Sequence, residues 1–290
     1  MGAFLSLAFL AAVLRISVPY VLAALGGTWS ERAGIINIAL EGLLLTGAFA
    51  ATIGAYASGS AVVGITAGAL AGALLAALYA LLVIRFGADQ IVCGIAINLL
   101  ADGATRFLLK VTFDSSSNSP RIAAFGSGGA GPSLMLVTAL LIGLSHVLLY
   151  RTPFGLRVRA VGEHPEAAAS LGVRPRRVRL VAVLLSGALA GLGGAWLAAD
   201  QHQFVAGMSN GRGYIALAAM IFGKWRPTWV AAAALLFGAA EATQIALQTA
   251  GVGLPAWAVQ MLPYVLTMVA LSGFMGRAKA PSSLGKRDEA

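Results

Sequence analysis

The chain has 290 residues, 59% hydrophobic and 11% charged, with a net charge of +9 and a mean hydropathy of +0.84. A soluble domain of that length cannot bury so large an apolar fraction in one core, so lipid must cover much of it. The basic excess lies in short loops between apolar runs, where it orients helices and sets nucleic acid aside as a partner, and the lone Cys93 excludes an intrachain disulfide and a thiol metal cluster.

Apolar runs near the roughly 20 residues needed to cross a bilayer recur from end to end. They lie at about 3–25, 35–57, 61–84, 90–109, 133–150, 180–199, 214–223, 228–249 and 257–275. The implied fold class is all-α: a polytopic membrane helix bundle of about 9–10 transmembrane or half-membrane helices. One transmembrane domain covers 1–276, and 277–290 is expected to be a tail without order.

The first run has no basic n-region and carries Arg15 inside it, so it reads as a membrane helix rather than a cleavable signal, with Arg15 paired to an intramembrane carboxylate. In the second run INIALEG sets Asn37 and Glu41 at i and i+4, on one side of one helix. The third run spaces Gly64, Gly68 and Gly72 by four, a pattern matched later by Gly187 and Gly191, which lets helix backbones approach closely in lipid. The fourth carries the stripe Asn98, Asp102 and Arg106, whose acid and base, one turn apart, can neutralise each other. Asp114 to Ser133, rich in Ser, Gly and Pro, reads as an external loop.

Arg151 to Leu180 is different in kind. Pro165 at a first turn and Gly172 at an end bracket a helix of about two turns, inside a connection far longer than two membrane helices need. Such a loop suits a docking surface. Further on, 214–223 is too short to span and reads as a half-helix, and the eighth run carries Glu241, Gln244 and Gln248 at i, i+3 and i+7. Polar residues within membrane runs are costly and mark functional sites by default. Amide and carboxylate groups facing a cavity suit an uncharged, hydroxyl-rich solute, while the competing reading has them holding helices together.

Placing Arg151 to Arg179 in the cytoplasm puts 15 of the 20 basic residues on that side. It leaves Lys110, Arg121 and Arg212 outside, with the N-terminus outside and the tail inside. There is no G-x-x-x-x-G-K-[ST] loop, no H-E-x-x-H and no G-x-S-x-G, and His146, His164 and His202 lack ligand spacing. No enzyme and no metal site is therefore expected.

Three segments carry a resemblance: ERAGIINIALEGLLLTGAFAA (Glu31 to Ala51), GADQIVCGIAINLLADGATRFLL (Gly87 to Leu109) and RTPFGLRVRAVGEHPEAAASLGV (Arg151 to Val173). Together they closely resemble the ABC importer permeases of the branched-chain amino acid and simple sugar class, and most nearly the subgroup that imports nucleosides. The resemblance spans nearly the whole chain and implies a multi-pass inner-membrane permease working by alternating access. It implies a cytoplasmic coupling helix in which Gly162, Glu163, His164, Pro165, Glu166, Ala167 and Gly172 meet a groove on a separate ABC ATPase subunit, with Arg157 and Arg159 near acidic patches of that subunit. ATP and Mg would be bound by the ATPase, leaving this chain without a cofactor, and the other partners would be a second, paralogous permease and a substrate-binding lipoprotein. Asn37, Glu41, Asn98, Asp102, Glu241 and Gln244 would line the path. The alternatives are a permease for ribose, another simple sugar or a branched-chain amino acid, and, from a different class, an ion-coupled secondary transporter using Glu41, Asp102 and Glu241. The patterned cytoplasmic loop argues against the latter, which needs no ATPase dock.

Overall fold

The computed structural model describes residues 7–126, 130–249, 261, 265 and 279–286, so the helix expected at 257–275 lies outside the described residues except for Met261 and Val265. Seven described helices are long and apolar enough to cross a membrane, and the protein is a multi-pass helical bundle. In chain order they are α1 (Leu7–Arg32), α2 (Leu40–Ser58), α3 (Ala61–Ala80, continued by a π-helical turn Leu81–Arg85), α4 (Gln90–Phe113), α6 (Ala130–Arg151), α9 (Pro175–Gln201) and α11 (Pro227–Thr249). Between them lie α5 (Ala123–Gly126), α7 (Pro153–Glu163), α8 (Pro165–Ser170) and the short apolar α10 (Arg212–Phe222). Local signals account for the ends. Asp89 accepts the Ile91 and Val92 N–H groups to cap α4, Thr152 caps α7, and prolines open α7, α8 and α9.

The α9 helix is the central post, wrapped by α1, α2 and α3. Its glycines set the separation. A Cβ on Gly72 would stand 2.7 Å from the Gly191 Cα, and Gly68 faces the Gly47 carbonyl, so α2, α3 and α9 meet backbone to backbone. Gly72→Val is accordingly expected to lower the melting temperature of the detergent-solubilised protein, with overpacking costing about 1–3 kcal/mol or more. Gly103→Val, where an added Cβ meets nothing within 4 Å, is the matched control. Equal melting of the two variants would mean that α3 is not held this closely.

Two crossings are broken. After α1 the chain does not resume as helix at 35; residues 33–39 are turn and irregular chain, and α2 begins at Leu40. Asn37 is therefore not on the same helix face as Glu41. Its Nδ2 donates to Ser186 Oγ in mid-α9 at 2.8 Å, and its Oδ1 accepts the Ala39 N–H, a local bond that competes with helix formation. Side chains from neighbouring elements satisfy the freed backbone. Ser30 donates to the Ile35 carbonyl, Gln90 accepts from Ile36 N–H, Tyr79 donates to the Ile36 carbonyl, Asn98 Nδ2 donates to the Ile38 carbonyl, and Arg179 donates to the Ala33 carbonyl. Non-helical backbone at membrane depth is tolerable only when buried in protein and paired in this way.

The second broken crossing follows α9. Residues 202–206 pair with 117–122 through a Ser119 N–H to Phe204 bond of 2.9 Å and an Ala206 N–H to Ser117 bond of 2.8 Å. The chain then turns through Gly211, at φ +80°, into α10. Eleven residues rise roughly 16 Å, about half a bilayer. Arg15 pairs with Asp200 at the far end of α9, and not with an intramembrane carboxylate of the polar stripes. The connection 151–180 holds α7 as well as the expected short helix. Of the tail expected to lack order, residues 279–286 are described, and they pack: Pro281 and Ser283 are buried, and Ser283 bonds to the end of α7.

Candidate functional site

The start of α10 and the start of α2 meet head to head, and the polar residues of the bundle gather there. Gly213 lies so close to the Glu41 backbone that a Cβ would overlap it, which brings the α10 N-terminus onto the first turn of α2. The first N–H groups of a helix have no partner of their own. Here Glu41 supplies it, with Oε1 accepting from Gly211 N–H at 2.8 Å and Oε2 from Gly213 N–H at 2.7 Å.

Asn98 does the same for α2. Its Oδ1 accepts the Gly42 N–H at 2.8 Å, while its Nδ2 donates to Ile38 and to the Tyr214 hydroxyl at 3.1 Å. On the other side Arg212 donates to Glu241 at 2.6 Å, and Tyr20 donates to the second Glu241 oxygen at 2.5 Å. Tyr20 and Glu241 lie well inside α1 and α11, so Arg212 sits within the bundle and not on the outer surface where the charge count puts it.

The electrostatics of this junction close without an added ion. Each helix N-terminus carries roughly half a positive charge, so two of them together offset the Glu41 carboxylate. Arg212 offsets Glu241. What remains is a near-neutral set of amides, hydroxyls and carboxylates, with Tyr214 beside it at 49% exposure. That suits hydrogen bonding and stacking with an uncharged polar solute.

Of the expected path residues, Glu41, Asn98 and Glu241 come together here. Asn37 is buried on α9 and serves the broken backbone. Asp102 forms a pair with Arg106 at 3.0 Å on α4, half exposed, as the i, i+4 spacing predicts. Gln244 is half-buried one turn beyond Glu241 and, among the described residues, outside the hydrogen-bond network. Sequence reasoning misses Tyr20, Arg212 and Tyr214. The signal for the last two is the GRGY string, whose glycines permit both the positive φ and the close approach to α2. Nothing in the first run singles out Tyr20.

The cytoplasmic candidate is α8 with its flanks. Pro165 opens it, Gly172 closes it at φ +81°, and Ala168 anchors it, which leaves Glu166 and Ala167 exposed. Leu171 is 85% exposed, an apolar knob at the tip that polarity-based reasoning overlooks. Gly162 is buried against the Arg32 carbonyl, Glu163 accepts from the Ser282 hydroxyl at 2.8 Å, and His164 is exposed at the joint between α7 and α8. Arg157 faces out, whereas Arg159 lies over the Tyr150 ring at 5.0 Å, turned inward rather than toward a docking partner. An open cleft of about 1220 Å³ borders α8, lined by Glu163, Glu166, Arg174, Arg177 and Lys286. No group of three or more His, Cys, Asp or Glu able to hold a metal occurs among the described residues.

Comparison with known proteins places similarity along most of the chain. The model of a family described as branched-chain amino acid transport system / permease component matches residues 9–271. The guanosine ABC transporter permease protein NupQ of Bacillus subtilis is 38% identical, covering 94% of each chain. The nucleoside ABC transporter permease protein NupC of Lactococcus lactis is 37% identical with the same coverage. A putative glucose ABC transporter permease protein, TsgC13 of Haloferax volcanii, is 33% identical over 84% of this chain and 78% of its own. No solved structure matches.

Proposed function

Because the chain belongs to the branched-chain amino acid transport system / permease component family, we propose that it is the membrane-spanning subunit of an ATP-driven importer whose solute is a nucleoside. The observation that carries the solute class is the identity of 38% and 37%, across 94% of the chain, to permeases named for guanosine and for nucleosides. The near-neutral junction, with amide and hydroxyl groups and the exposed Tyr214, supports it, since a nucleoside offers hydroxyls and an aromatic base. The family's permeases are non-catalytic, and ATP is hydrolysed on a separate ATPase that docks at α8. This puts α8, Arg157 and the tail in the cytoplasm and the 117–122 loop outside, in keeping with the basic loops. A second permease chain would close the other side of the path, and an external binding lipoprotein would deliver the solute.

The geometry offers a route from dock to junction. A displacement of α8 bears on Gly162, which abuts the Arg32 backbone at the end of α1. Arg32 donates to the Trp225 carbonyl at 3.0 Å, and Trp225, just past α10, donates to Glu31 at 2.7 Å. Movement at the dock thus reaches α10, whose other end is held by Glu41. The ion-coupled reading fits poorly. Both oxygens of Glu41 and of Glu241 are engaged by the protein, and Asp102 is held by Arg106, so none stands free to take an ion.

The test is uptake of radiolabelled guanosine, ribose and leucine in cells lacking the gene, complemented with the parent chain or with Glu166→Arg, Ala167→Asp. Only guanosine uptake should return with the parent. The double variant, whose changes lie on an exposed surface, should insert normally, lose the ATPase on co-purification and transport nothing. Restoration of ribose or leucine uptake instead would overturn the solute class, and normal uptake by the double variant would overturn the dock.

A further inference from the structure

The route through Arg32 leads on to α10, and the 33–39 segment, which Gly162 also approaches at Gly34, has a further connection made by residues near the chain's far end. Residues 279–286 lie as a strap across the cytoplasmic face. Ser282 donates through both its N–H and its hydroxyl to Glu163, at 3.2 and 2.8 Å. Ser283 is 3% exposed, its N–H donates to the Gly162 carbonyl at 3.0 Å, and its hydroxyl reaches the Val161 and Gly162 carbonyls at 3.1 and 2.7 Å. Two residues on, Gly285 donates its N–H to the Gly34 carbonyl at 3.2 Å, with its Cα against Ile36. The strap therefore grips the last turn of α7, immediately before α8, with one end, and with the other the non-helical segment that leads into α2.

We propose that residues 282–285 are positioning residues of the transport cycle: the strap couples α8 to the 33–39 segment, so that both helix starts meeting at Glu41, those of α2 and α10, are driven from the same dock. The inference rests on the importer reading. The physical case is that residues 33–39 have no helical ladder of their own, so their position follows whatever holds their carbonyls. Ser283 occupies the corner between Gly162 and Gly34, and a Cβ placed on Gly34 would crowd the Ser283 hydroxyl at 2.6 Å. Gly285 holds φ +76°, and a Cβ there would press on Ile36 Cδ1 at 2.9 Å, so only glycine fits the far end of the strap without strain.

The experiment uses the complete importer in proteoliposomes with radiolabelled guanosine, carrying the parent permease, a chain ending at Ala278, or Gly285→Val in the full-length chain. The valine variant releases the Gly34 end while leaving Ser282 and Ser283 on α7. Three quantities are read: co-purification of the ATPase, basal ATP hydrolysis, and hydrolysis stimulated by loaded binding protein together with uptake. For Gly285→Val, co-purification and basal hydrolysis should be unchanged, because Ser282, Ser283 and Lys286 remain in the chain and the exposed face of α8 is untouched. Stimulated hydrolysis and uptake should both fall at least about fivefold, the lower end of an ordinary coupling between sites.

Parent-like stimulation and uptake in the truncated chain would overturn the strap. If truncation prevents assembly, Gly285→Val decides: parent-like stimulation and uptake overturn the strap, and so does a parallel loss of basal and stimulated hydrolysis, which would mark a purely structural part. Failure of the parent itself to move guanosine would instead strike the proposed solute.

Discussion

Glu41→Leu is expected to abolish uptake and to destabilise the bundle by several kcal/mol, about 3–6 on the bonds it removes. The carboxylate is the partner of two backbone N–H groups, Gly211 and Gly213, at the start of α10. A hydrogen bond to a charged group contributes about 1.5–3 kcal/mol, so losing two, with the donors left inside the protein, costs roughly 3–6 kcal/mol. Part of the helix-dipole compensation goes with them. Glu41→Gln keeps one good acceptor and should fall between, because its amide NH2 opposes the second N–H. Melting of the solubilised protein and guanosine uptake should therefore both rank Glu, then Gln, then Leu. A leucine variant that melts and transports like the parent would show that Glu41 does not hold α10.

The Arg212 and Glu241 pair is the second large effect, and its sign depends on which partner is removed. With side chains about one-fifth exposed, breaking the pair by Arg212→Met leaves Glu241 unpaired in a poorly solvated site, a cost of roughly 3 kcal/mol, at the low end for buried pairs because some water remains. Removing both charges in Arg212→Met, Glu241→Met should restore most of that stability, since no lone charge is left and Tyr20 loses only one acceptor. Uptake should not return with it if the pair lines the path. Thermal melts of the two single variants and the double one give the coupling directly. A double variant that is stable and transports normally would reduce the pair to a fastener.

Much of the fold was legible because lipid makes a simple demand. The expected runs at 61–84, 90–109 and 228–249 agree closely with α3, α4 and α11, where hydropathy alone governs. The glycine rows predicted close backbone approach for the same reason, small residues at helical spacing serving packing in a bundle, although only the structure shows that α3 and α9 make that approach to each other. What hydropathy hides is where an apolar run stops being helical. AGIINIA is as apolar as a helix, yet it is turn and irregular chain, because Asn37, Gln90, Tyr79 and Asn98 offer its backbone better partners, and three of those four lie far along the chain. The candidate site was half visible on the same terms. Glu41, Asn98 and Glu241 stand out as charges and amides in apolar runs, but their partners are backbone groups, Tyr20, Tyr214 and Arg212, which no composition rule pairs with them. The α7 helix was missed because its arginines, Arg157 and Arg159, give it the look of a loop.

The borrowed partners of residues 33–38 also set an order of events in biogenesis. The segment leaves the ribosome early, but its hydrogen-bond partners include Tyr79, Gln90, Asn98, Arg179 and Ser186, and Ser186 emerges about 150 residues later than Asn37. Until then the first hairpin cannot rest in lipid with this bend, since unsatisfied peptide groups there cost several kcal/mol each. The nascent chain must keep α1 and α2 as a provisional helical hairpin, or beside water at the translocon, and adopt the break only when α9 has been inserted. The bend that forms the site is thus among the last features of the molecule to be made, and a chain stalled before α9 has no site at all.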